Sequence, residues 1–286
     1  MDGSLCDKPF KESKGFQYKE QIMPHHETLQ LLEERRSLRL FSDAPITQEV
    51  REALIQATLR APSAGNLMNY SIIEVTNQEI KDRLAITCDH QPMIARAPLV
   101  WVFLADLHRL YDYFTQCDVP KLCERESREF HTPAEGEFLL AANDAIVAAQ
   151  NAVVAAEALG MGSCYIGDII ENVEIHRELL DFPPWCFPVT MLIAGYPKKA
   201  PKGPKTPRID QEFVVHNNRY KRLTPEELKQ LYAKNEEHLS ARYIKGAENF
   251  GQHLYLKKIG TDFAVELTRS FRKGLKEWCD GQVTRT

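Results

Sequence analysis

The stretch EFLLAANDAIVAAQNAVVAAEALGMGSCYIGD, residues 137–168, decides the fold. Its alanine-rich first part predicts a long helix over about 137–159. Polar residues recur there at sevens, Asn143, Gln150 and Glu157, with Asp144 and Asn151 beside them. Seven residues make nearly two helical turns, so these side chains form one narrow polar stripe and the rest of the helix is expected to be buried. Small residues also let another helix approach closely. This segment is therefore the spine of the domain and a candidate dimer seam. The run from Gly160 to Gly167 stops the helix and turns into a short extended segment.

Working outward, PLVWVFLA (98–105) is a continuous apolar run bounded by Pro and Asp, which predicts a buried central strand. FPVTMLIAGYP (187–197) predicts a second buried strand and SIIEV (71–75) a third. Helices are expected over 27–36, with Leu29, Leu32 and the Arg35 stem as an apolar stripe, and from an N-cap at Thr47 through Val50, Ala53, Leu54, Ala57 and Ala61. The breaker cluster at 62–66, Pro-Ser-Ala-Gly-Asn, ends the second helix, and TNQE (76–79) reads as a capping box for the next. Residues 106–136 are charged and aromatic with weak periodicity, an excursion where a lid or substrate face would sit. The loop 198–207 is stiffened by Pro201, Pro204 and Pro207. Thr224-Pro225-Glu226-Glu227 starts another helix, and Phe263, Leu267, Phe271, Leu275 and Trp278 have the spacing of a docked terminal one.

The chain has 286 residues, 36 Lys+Arg and 40 Asp+Glu, a net charge of −4. That balance supplies no long-range field for nucleic acid or an anionic membrane surface. Seven cysteines, unpatterned and without a CxxC pair, fit a reducing cytosol. No apolar h-region opens the chain, and the polar load of the 138–159 stretch argues against a membrane span of about 20 residues. A soluble cytoplasmic protein is the expectation. No metal site is expected either: His25 and His26 point to different faces, and Cys117 and Cys123 are spaced too far apart for a zinc knuckle.

No dinucleotide, phosphate-loop or zinc-protease motif is present. APSAG (61–65) superficially has the form of a nucleophile elbow at Ser63, but an elbow needs a strand before and a helix after, and the order here is reversed. The cations are more purposeful. RRSLR (35–39) sets three guanidiniums and a hydroxyl at a helix end, and Lys205 and Arg208 sit in the proline-stiffened loop with Lys198, Lys199 and Lys202. Arg suits phosphate through its bidentate fork, and Lys adds a point charge. With the Ser/Gly/Asn turn at 62–66 and the Gly-rich turn at 160–167, they point to one flat, anionic ligand.

Together, RRSLRLF (35–41), APSAGNLMNY (61–70), ALGMGSCYIGD (158–168) and AGYPKKAPKGPKTPR (194–208) resemble the nitroreductase family of flavin enzymes, over about residues 27–222. The resemblance implies an α+β fold, a mixed, mostly antiparallel sheet flanked by helices, in an intertwined homodimer that holds FMN at its interface. It implies an FMN-binding domain over 26–222; residues 1–25, polar and aperiodic, read as an N-terminal arm, and residues 223–286, beyond the usual family end, as a C-terminal helical extension for packing or a dimer embrace. It also implies that Arg35, Arg36 and Ser37 hold the phosphate and ribityl end, joined by Lys205 and Arg208, while Arg39 faces the pyrimidine edge. Pro62, Ser63, Ala64 and Asn66 would border the ring from the other subunit. Amides of Gly167 and Asp168 would point at flavin N5, with Tyr165 and Ile166 packed on one ring face. Two departures stand out: Met68-Asn69-Tyr70 replaces the usual Gln-Pro-Trp, and two residues separate Lys205 from Arg208 where the family has one, so either Lys202 or Lys205 is the partner lysine.

The resulting expectation is an FMN-dependent oxidoreductase taking hydride from NADH or NADPH and passing it to a small aromatic, quinone-like or nitro acceptor. No catalytic side chain is nominated, because the flavin carries the electron chemistry. The competitors are a flavin storage or sensor module without turnover, and a serine hydrolase using Ser63.

Overall fold

The computed structural model describes residues 26–199, 203, 205–239 and 242–281. The expected arm over 1–25, with Lys202, Pro201, Pro204 and residues 282–286, lies outside the described residues. Four strands form one sheet: β1 (Tyr70–Glu74), β2 (Leu99–Asp106), β3 (Gly162–Ile166) and β4 (Cys186–Gly195). The helices before β2 are α1 (Glu27–Glu34), α2 (Gln48–Leu59), α3 (Gln78–Thr87) and α4 (Pro92–Arg96). Between β2 and β4 come α5 (His108–Gln116), α6 (Val119–Arg125), α7 (Glu135–Ala158) and α8 (Val173–Leu180). The chain continues through α9 (Pro225–Leu239), α10 (Phe250–Leu254) and α11 (Asp262–Asp280).

The strand order is β1-β2-β4-β3, and each neighbouring pair is antiparallel. The parallel contact is a bridge between Ser37 and Ser163. β2 is buried along its whole length because both of its faces are covered. Val100, Val102 and Leu104 face one core, shared with Met191 and Ile193 of β4, Leu84 of α3, Val173 of α8 and Trp278 of α11. Leu99, Trp101 and Phe103 face the other, against Leu54 of α2 and Ala145, Ala148, Ala149 and Ala152 of α7. Alternation along a strand thus explains a run that is apolar without interruption. The ladder between β2 and β4 shifts register between Phe103 and Leu104, where Pro188 sits and has no N–H to contribute.

The spine lies where the sequence places it. α7 is long and apolar enough to cross a bilayer, yet it seats its alanines between α2 and the sheet. Its end is a Schellman turn: Gly160 is left-handed at φ 74°, Gly160 N–H donates to Glu157 O and Met161 N–H to Ala156 O. The polar stripe, however, divides. Asp144 and Asn151 turn inward and bond backbone groups, whereas Asn143 and Gln150 stay exposed. The remaining faces are not all buried either, since Leu139, Leu140, Ile146 and Val147 are 37–60 % exposed.

Other boundaries differ from the expected ones. α1 ends at Glu34 rather than residue 36, with Arg35 already extended, and none of its residues is buried. Asn77 caps α3 by accepting from Ile80 N–H, one residue later than the expected Thr76, because Asn is an equally able cap. On α2, Leu54 and Thr58 are the buried positions while Ala53 is exposed. The excursion over 106–136 holds α5 and α6, and Tyr111 makes ring contacts with Phe114, Phe130 and Trp185. Beyond 222, Thr224 and Glu227 form the expected reciprocal cap at the start of α9.

Candidate functional site

Residues 37–42 run alongside two strand ends at once. Leu38 N–H donates to Ser163 O, Ser42 N–H to Tyr196 O, and Lys198 N–H to Leu40 O. Two glycines make the approach possible. Gly162 and Gly195 are partners across β3 and β4. A Cβ at Gly162 would lie 2.7 Å from Leu38, and one at Gly195 would lie 2.8 Å from Pro98 and 3.0 Å from Phe41. The segment's seat carries Arg35, Arg36, Ser37 and Arg39 to the start of β3 and beside the loop that follows β4.

That loop is tied back to α1. Arg36 Nη1 donates to Gly203 O at 2.7 Å and Lys205 Nζ to Glu33 O at 2.6 Å. The result is one cavity of about 820 Å³ lined by Leu32, Glu33, Arg35, Arg36, Ser37, Arg39, Lys205, Thr206 and Arg208. Five cations and two hydroxyls against one carboxylate suit an anion with phosphate oxygens. Lys205 is the lysine that lines the cavity among the described residues, and the other candidate, Lys202, lies outside them. Thr206 was missed in the sequence, since a lone Thr beside two prolines carries no signal of its own.

β3 lies within the field of these cations. Burial pushes the Tyr165 hydroxyl up to about 12, with Arg35 opposing the rise. The Glu157 carboxyl is raised by burial and pulled back by the same guanidinium. Burial also raises the Cys164 thiol, opposed first by Arg39 and then by a hydrogen bond from Ser37. Tyr165 is partly exposed and its hydroxyl reaches Gln150 Oε1 at 3.3 Å. Ile166, one residue on, points the other way into the core, so only Tyr165 of the two offers a side chain outward. Gly167 and Asp168 open a 3₁₀ turn, Gly167–Ile170, and the first amides of such a turn have no partner within it. A side chain at Gly167 would meet nothing within 4 Å. At the far end of the turn, burial first and then Asp168, Asp89 and Glu266 push the Glu171 carboxyl up to about 7.

The turn bearing Pro62, Ser63, Ala64 and Asn66 is not brought to this cavity; among the described residues it lines none of it. Ser63 Oγ accepts from Met68 N–H at 3.1 Å. The turn lies between α2 and β1, helix before and strand after, so no nucleophile elbow is formed.

The fold is α+β, and its cation-lined cavity suits a phosphorylated ligand. The family model described as the nitroreductase family matches residues 32–196. An oxygen-insensitive NADPH nitroreductase of Salmonella typhimurium is 34% identical over 222 residues, covering 78% of this chain and 85% of that protein. An FMN reductase [NAD(P)H] of Bacillus subtilis is 32% identical over 198 residues, 68% of this chain and 75% of its own. Among solved structures, the NADPH:FMN oxidoreductase from Vibrio harveyi, complexed with NAD+, aligns with a TM-score of 0.71 at 26% identity, covering 87% of this chain and 98% of that one. Nitroreductase A from Vibrio parahaemolyticus aligns with a TM-score of 0.73 at 26% identity over the same shares. The chain belongs to the nitroreductase family.

Proposed function

We propose that this chain is an FMN-dependent oxidoreductase drawing hydride from NADH or NADPH and delivering it to a small aromatic, quinone-like or nitro acceptor. The relatives' names, NADPH nitroreductase and FMN reductase, support that class. The carrying observation is the convergence of residues 35–39 with residues 205–208 on one cavity. FMN, when bound, supplies the two-electron chemistry through N5 of its ring. The protein's task is then to bind, orient and polarise.

In this reading Arg35, Arg36, Ser37, Lys205 and Arg208 hold the phosphate and ribityl end. Arg39 faces the pyrimidine edge, where a fixed cation stabilises charge that grows on reduction. Gly167 and Asp168 present backbone amides, and Tyr165 supplies one wall. Pro62, Ser63, Ala64 and Asn66 of the partner subunit border the ring. That these residues do not line the cavity of their own chain supports a site shared between two subunits, and the exposed apolar stripe on α7 supports a homodimer. The acceptor would rest against the aromatic residues of the excursion, where Tyr113 is exposed. The six described cysteines are free, which supports a cytoplasmic setting.

The test is direct. Purified protein is expected to be yellow, to bleach on anaerobic titration with a nicotinamide, and to turn over with a quinone or nitroaromatic. Binding and bleaching without turnover would favour the storage or sensor module. Labelling of Ser63 by a fluorophosphonate would favour the hydrolase. Arg208→Ala is expected to weaken FMN binding by roughly 10- to 100-fold, the worth of one charged hydrogen bond.

A further inference from the structure

The turn over residues 63–69 holds an unusual backbone. Gly65, Asn66 and Met68 are all left-handed, at φ 58°, 57° and 51°, and two of the three carry side chains. Such a backbone persists where its surroundings over-determine it. Two charged side chains from separate helices grip this one. On the amide side, Asp144 of α7, only 4 % exposed, accepts from Ala64 N–H at 2.9 Å through Oδ1 and from Asn69 N–H at 3.2 Å through Oδ2. Its carboxylate thereby closes the mouth of the turn. On the carbonyl side, Arg109 of α5 donates from Nη2 to Met68 O and to Tyr70 O, each at 2.8 Å. Arg109 is itself braced by Asp106 Oδ2 at 3.2 Å from Nε, and Ser71 Oγ bonds the same oxygen. Two further titratable groups face this cluster: the Tyr70 hydroxyl, raised by burial and by Asp144 and lowered by Arg109, and the Cys186 thiol, raised by burial and by Asp106 and lowered by Arg177 and Arg109.

We propose that Asp144 and Arg109 are positioning residues for the flavin, fixing from opposite sides the shape in which the 63–69 turn meets the ring. The inference rests on the function proposed above. A carboxylate matches two N–H donors and a guanidinium matches two carbonyls, so each charge is used on the backbone polarity it satisfies. Arg109 also ties the turn to the first turn of the excursion, so the wall for the ring and the wall for the acceptor share one anchor.

Asp144→Asn places an NH₂ group against a backbone N–H, because an amide offers one accepting oxygen where two are needed. Arg109→Lys keeps the charge but loses the fork. Both are to be made in the full chain, with FMN affinity, the visible circular dichroism of bound FMN, kcat and KM, and Tm measured. Asp144→Asn is expected to weaken FMN binding on the order of tenfold or more and to change the visible dichroism at temperatures where the protein is folded. Arg109→Lys should move both observables in the same direction by less, with a larger effect on the acceptor's KM. Variants that keep FMN affinity within about twofold and the wild-type dichroism, while Tm falls, would leave these residues a structural role only and overturn the inference. Should Asp144→Asn not fold, the Arg109→Lys result decides by the same criterion. A wild-type chain that takes up no FMN overturns the functional reading and this inference with it. A wild type that binds beside variants that bind equally well overturns this inference alone.

Discussion

Gly162 and Gly195 show how much of the site depends on atoms that are missing. Their backbones face each other across β3 and β4, and each admits a neighbour that any Cβ would displace: Leu38 at 2.7 Å, Pro98 at 2.8 Å. Leu38 cannot retreat without moving Ser37 and Arg39, which it separates. Gly162→Ala is therefore expected to cost about 1–3 kcal/mol through overpacking. It should lower Tm by several degrees and weaken FMN binding as well. Gly136, in the first turn of α7, has nothing within 4 Å of its Cβ position. Gly136→Ala should be neutral or stabilise by about 0.4–1 kcal/mol, by thermal melting of the two variants side by side. From the sequence, Gly162 was legible as part of a helix stop. That it makes room for Leu38 was not, because clearance depends on which distant segment lies on top.

Among the elements, those announced by local chemistry were the ones most fully legible. The caps at Thr47 and Thr224, the proline opening α9 and the apolar run of β2 are local, and each stands where its residues placed it. α5 and α6 were not visible in the pattern: the aromatics of α5 pack on one another and on Trp185 from a loop far along the chain, and α6 is only seven residues long. Nor could the pattern reveal that Asp144 faces inward, because a carboxylate whose partners are two backbone amides of a distant turn looks like any solvated polar residue. The terminal helix was legible by its spacing, and its anchor is specific. Trp278 is 2 % exposed, stacks edge-on against Phe138 and donates from Nε1 to Ala134 O at 3.2 Å. Arg177 and Glu277 form a buried pair beside it, at 3.3 Å. Trp278→Ala is expected to cost about 3–5 kcal/mol, read by urea unfolding, with α11 losing amide-exchange protection before the sheet does.

For the molecule as a whole, two carboxyls pull stability in opposite directions with pH. Hydrogen bonds from Arg269 hold Glu174 down at about 2, below its ordinary 4.5. Its contribution is present above the unfolded value and is lost as pH falls toward 2. Burial holds Glu171 up at about 7, so the folded state keeps a proton that the unfolded chain releases above 4.5. Its term therefore falls as pH rises from 4.5 to about 7. Glu171→Gln should shrink the loss of Tm between about pH 5 and about pH 8 while leaving the acid limb alone. The larger question is the second subunit. Leu139, Leu140, Ile146 and Val147 make a stripe on the outer face of α7, the helix whose inner face holds the 63–69 turn through Asp144. A charge in that stripe should therefore do two things together. Ile146→Asp is expected to sediment as a single 32.8 kDa chain where the wild type sediments as two. It should also lose FMN, although no residue of the cation-lined cavity has changed, because in the proposed shared site the ring would lack the partner's 62–66 turn. A monomeric Ile146→Asp that keeps wild-type FMN affinity would mean that one chain completes the site by itself.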